Sequence, residues 1–136
     1  MLYKLTNIII FKLLEAVILT SRELLIAALK ILDGKKAEDV TAIDIEGISV
    51  IADYFLLASG NSTTQVKALA EEIEFKLSEQ GVKPLRIEGA QSASWIILDY
   101  GDLIIHVFHH ETRAFYNLER LWVDGKTLDA KQLIEA

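Results

Sequence analysis

The stretch "SWIILDYGDLIIHVFH", residues 94–109, sets two β-like runs on either side of Gly101-Asp102. A two-residue connection that begins with glycine suits a tight hairpin, because the primed turns that match strand twist need positive φ there. The register follows: Tyr100 opposite Leu103, Asp99 opposite Ile104, Leu98 opposite Ile105, Ile97 opposite His106, Ile96 opposite Val107 and Trp95 opposite Phe108. Alternation sorts these side chains onto two faces. One face is aliphatic, with Ile96, Leu98, Ile105 and Val107, and is expected to be core covered by helices. The other mixes Trp95, Ile97, Asp99, Ile104, His106 and Phe108.

Other elements can be placed around this hairpin. Residues 39–47 alternate apolar and polar side chains, as a half-buried strand does, and stop at Gly47. Residues 52–60 are more continuously apolar and predict a central strand, and residues 84–89 predict a third. Thr20-Ser21-Arg22-Glu23 has the form of a capping box, opening a helix whose apolar residues run from Leu24 to Leu32, with Gly34 placed to end it. Ser62-x-x-Gln65 opens a second helix with Val66, Leu69, Ala70, Ile73 and Leu77 on one stripe. After His110, Ala114, Phe115, Leu118, Leu121 and Trp122 return to helical spacing. The order α-β-β-α-β-β-β-α predicts an α/β (α+β-like) domain with one mixed sheet of about five strands and flanking helices.

The net charge of −6 and pI near 5.0 disfavour direct, charge-driven binding of nucleic acid and suit a basic protein partner instead. The absence of cysteine excludes disulfides and thiolate metal sites. Residues 1–19 read as an apolar extension of uncertain role. Lys4, Lys12 and Glu15 interrupt it, so it does not predict a membrane span.

All three histidines, His106, His109 and His110, lie close together in sequence, but strand geometry argues against a metal site. His106 and His110 share a face at roughly 13 Å, taking about 3.3 Å per residue, and His109 points the other way. A metal–nitrogen bond is only about 2 Å long. No serine sits in a nucleophile elbow, and Gly60-Asn61-Ser62 before a helix is a weak anion site that reads more simply as capping. No catalytic residue, metal or cofactor is therefore expected. The pair Trp95 and Phe108, with Asp99, Ile104 and His106 around it, instead has the makings of an aromatic anchor for a protein partner. From pattern alone, a C-terminal helix covering this face is an equal alternative.

Ala52-Asp53-Tyr54-Phe55, Glu88-Gly89, Ser94-Trp95, Gly101-Asp102, His106-Val107-Phe108 and Tyr116-Asn117-Leu118-Glu119-Arg120-Leu121-Trp122 occur in an order and spacing that resembles the Iojap or ribosomal silencing factor (RsfS) family. The resemblance runs from about residue 21 to residue 123. It implies a nucleotidyltransferase-like fold and a cytoplasmic bacterial protein that binds the large ribosomal subunit through that subunit's ribosomal protein fourteen. There it would block joining of the two subunits and damp translation when nutrients are scarce. A homodimer is possible. The runner-up is a nucleotide-binding or nucleotidyltransferase-like enzyme, but Gly60-Asn61-Ser62 only echoes the nucleotidyltransferase turn and no Asp-x-Asp pair follows it. On this reading residues 20–123 form the silencing-factor domain and 124–136 a tail. The partner surface is Trp95, Asp99, Ile104, His106 and Phe108, bordered by Tyr116 and Trp122.

Overall fold

The computed structural model describes Thr6, Asn7, Ile9 and residues 19–135, so most of the apolar extension lies outside the described residues. Helix α1 (Ser21–Gly34) is followed by β1 (Glu38–Asp44), β2 (Tyr54–Gly60) and α2 (Thr63–Glu79). Then come β3 (Arg86–Glu88), β4 (Trp95–Asp99), β5 (Leu103–His109) and α3 (His110–Tyr116). A 3-10 turn (Leu118–Trp122), β6 (Lys126–Leu128) and α4 (Ala130–Glu135) complete the described chain.

The strands form one mixed six-stranded sheet in the order β3-β4-β5-β2-β1-β6. Its centre is the parallel pair β2/β5, from Tyr54 opposite Leu103 to Gly60 opposite His109, and the other pairs are antiparallel. Every residue of β2 is buried, as its continuous apolar run predicts for a central strand. The β4–β5 register agrees with the sequence reading at every pair. Gly101 takes φ +85, and the turn is held by its N–H donating to Asp99 Oδ1 at 2.8 Å. The tip is tied to the central strand, since the Asp102 carbonyl accepts from the N–H groups of Asp53 and Tyr54.

Helices α1, α2 and α4 cover the aliphatic face. Leu25, Leu29 and Leu32 of α1 and Val66, Ile73 and Leu77 of α2 pack with Leu56, Leu98, Ile105 and Val107, all of them buried. The α1 cap is close to its predicted form: Thr20 Oγ1 accepts from the Glu23 N–H and donates its hydroxyl to the Glu23 carboxylate, both at 3.1 Å. Gly34 is the last helical residue, and the left-handed position falls two residues later at Lys36, φ +56.

Part of the C-terminal reading needs correction. The helix after His110 does not run through to Trp122. Asn117 takes a left-handed conformation, φ +46, and divides it into α3 and the 3-10 turn. Phe115 and Leu121, which the helical stripe would have buried, stand 81% and 70% exposed. Residues 124–136, given above as a tail, carry structure of their own: β6 pairs with β1, from Ala42 opposite Leu128 to Asp44 opposite Lys126, and Leu133 of α4 is buried in the main core. A three-residue strand and a six-residue helix are too short to show a period in sequence.

Candidate functional site

The second face of the sheet is packed along one side and open along the other. Beside the β1–β2 side, Leu118 and Trp122 of the 3-10 turn pack over Ile43, Ile45, Phe55, Leu57 and Phe108 as a small second core. Trp122 meets Phe55 edge-on at 5.0 Å. Towards β3 and β4 this face lies open as a cleft of about 200 Å³, bounded in part by Arg86, Ile97, Asp99, Ile104 and His106.

The seven predicted surface residues therefore divide. Phe108 is fully buried and His106 only 5% exposed, so these two support the surface from beneath and do not form it. Trp95 is half-buried, stacked on Phe108 at 4.9 Å and tilted against Tyr116 at 5.2 Å. Tyr116 is 58% exposed, and Trp122 and Ile104 are half-buried. Asp99 is already engaged, holding the turn at Gly101 and pairing with the Arg86 guanidinium at 3.3 Å. The result is a compact aromatic platform with its outer ring on view and its inner rings locked.

His106 is the polar element within this platform. Its Nδ1 accepts from Trp95 Nε1 at 3.0 Å, while its Nε2 has no hydrogen-bond partner among the described residues. Burial pushes its pKa down to about 4. The other two histidines serve the chain itself. His109 caps α3, its Nδ1 accepting from the Glu111 N–H, and its Nε2 lies 3.1 Å from the Asn61 carbonyl. His110 is the first residue of α3 rather than a strand residue, so the predicted spacing along one strand does not apply to it.

The Gly60-Asn61-Ser62 turn is likewise satisfied internally. The Asn61 N–H donates to Gln65 Oε1 at 2.6 Å, and the Gln65 N–H donates to Ser62 Oγ at 3.1 Å. This is the capping arrangement, which takes up two of the amides at this helix start.

Arg113 is a residue that pattern reading missed. Its side chain is 12% exposed, and its Nε donates to Glu119 Oε1 at 2.7 Å. Its other nitrogens donate to the Asp39 carbonyl at 2.6 Å, Ser59 Oγ at 2.8 Å and Thr41 Oγ1 at 3.1 Å. One planar fork thus binds α3, the 3-10 turn, the end of β2 and the irregular start of β1, where Asp39 takes φ +46. In sequence, its partners Asp39 and Ser59 lie 74 and 54 positions away.

A family model for "Ribosomal silencing factor during starvation" matches residues 18–136. The ribosomal silencing factor RsfS of Halalkalibacterium halodurans is 46% identical over 116 residues, covering 85% of this chain and 99% of that protein. A crystal structure from Bacillus halodurans superposes with a TM-score of 0.71 at 46% identity, over 79% of this chain and 97% of that one. A more distant relative, the mouse "Mitochondrial assembly of ribosomal large subunit protein 1", is 32% identical over 95 residues, 68% of this chain and 42% of that protein. With a matching fold at 46% identity and with the family match reaching through β6 and α4, the chain belongs to the ribosomal silencing factor (RsfS) family.

Proposed function

We propose that this protein represses translation by occupying the large ribosomal subunit, through ribosomal protein fourteen, and sterically preventing the small subunit from joining. The observation that carries this reading is the half-open sheet face, where the Trp95 ring stands on buried Phe108 beside exposed Tyr116. Rigid aromatic rings over a packed base are what interface hot spots are made of. Exposed Phe115, Leu121 and Val123 extend the apolar surface along α3 and the 3-10 turn. The net charge of −6 complements a basic ribosomal protein and favours fast encounter. The names of the relatives point the same way, to ribosome silencing and to the large ribosomal subunit. Steric exclusion needs only occupied volume, so no reacting group is required.

The test is sedimentation of purified ribosomal subunits with and without the protein. The protein should travel with the large subunit and shift joined particles back to separate subunits. Unchanged joining at saturating protein would overturn the proposal.

A further inference from the structure

We propose that His106 is the positioning residue for Trp95: its Nδ1, kept free of a proton, holds the half-exposed indole in one orientation on the sheet. Register places them as diagonal neighbours on one face, since Trp95 stands opposite Phe108 and His106 opposite Ile97. The Trp95 Nε1–H can only donate, and it meets His106 Nδ1 at 3.0 Å. The imidazole must therefore offer a lone pair at Nδ1 and, when neutral, carry its proton on Nε2. The imidazole is itself immobilised, parallel to Phe108 at 5.8 Å and edge-on to Phe55 at 5.1 Å. Its depressed pKa keeps it neutral near pH 7, so the acceptor is not lost there.

The cost of this arrangement supports a role beyond packing. Buried Nε2 has no partner among the described residues, and an unsatisfied buried N–H is unfavourable. An aliphatic side chain would fill the space beside Phe55 and Phe108 without that penalty. Among the described residues, the one hydrogen bond the imidazole makes goes to the aromatic ring that is half open to solvent. Without it the indole can pivot over Phe108, and binding would then have to order it.

Only the binding arm of the test rests on the docking face proposed above. In the full-length protein, long-range imidazole nitrogen–proton correlations should place the His106 proton on Nε2. A proton on Nδ1 overturns the proposal without any variant. The Trp95 indole N–H resonance, identified by its loss in Trp95→Phe, should be slow to exchange with water. In His106→Leu it should exchange fast and shift, while the Trp122 resonance stays in place. A Trp95 resonance that ignores His106→Leu also overturns the proposal. For large-subunit binding, His106→Leu and Trp95→Phe should each cost roughly tenfold, and the double variant no more than either alone. Fully additive losses in the double variant would mean that the two residues act independently, which again overturns it. If the indole resonance responds as expected but subunit binding does not change, the positioning stands and the docking face is what fails.

Discussion

Gly89 and Trp95 share a space with no room for a side chain between them: a Cβ on Gly89 would lie 2.0 Å from the Trp95 carbonyl oxygen. Gly89 also takes φ +83, a conformation that L side chains rarely adopt. Gly89→Ala should therefore destabilise the protein by well over about 1 kcal/mol, because the clash is with backbone and cannot be relieved by a rotamer change. The urea midpoint reports the loss. A midpoint equal to that of the wild type would show that the β3–β4 connection can yield.

Arg113 should behave as a structural clamp. Arg113→Met removes every polar contact of the fork and leaves Ser59, only 1% exposed, without that donor, so a loss of about 2 kcal/mol or more is expected. Arg113→Lys should recover little of it, since a single ammonium cannot reach Glu119, Asp39, Ser59 and Thr41 together. Chemical denaturation of both variants checks this, with amide exchange at the start of β1 as the local readout.

Ile105 and Trp95 should separate stability from binding. Ile105 is fully buried under the helices, so Ile105→Ala should cost about 2–5 kcal/mol in folding. Trp95 is half-buried, and Trp95→Ala should cost less in folding but about 2 kcal/mol or more in affinity for the large subunit. Thermal melts and titration calorimetry on both variants make the comparison. Equal folding losses with unimpaired binding would place Trp95 in the core and the partner elsewhere.

Stability should fall with acid through His106. Its imidazole titrates at about 4 when folded but near 6.5 when unfolded, so between these values the unfolded chain holds the extra proton. The contribution is fully present above about pH 6.5 and is lost as pH falls towards about 4, a change on the order of 3 kcal/mol. Below that both states are protonated and the slope from this group vanishes. Urea titrations across this range should show the slope, and His106→Leu should flatten it.

The hairpin was legible because a period of two and a glycine turn fix every pair, and the two capped helices because their stripes and caps agree. What escaped depended on contacts across the chain. Asn117 breaks an apolar stripe that looks continuous, and nothing local announces that Phe115 and Leu121 face solvent. Phe108 and Trp95 are equivalent in the alternation pattern, yet only the three-dimensional position of Trp122 and Leu118 makes one core and the other surface. The Arg113 fork joins residues too far apart in sequence for any local pattern to reveal.

Strand β6 and helix α4 also govern the order in which the protein can be completed. Until Lys126–Leu128 arrive, β1 is an open sheet edge, and Leu133 is missing from the core beneath α1. Synthesis runs from the N-terminus, so both are made after all five other strands of the sheet. During synthesis the chain therefore carries a ready pairing edge until β6 closes it, and a ribosome stalled just short of β6 would hold an adhesive intermediate.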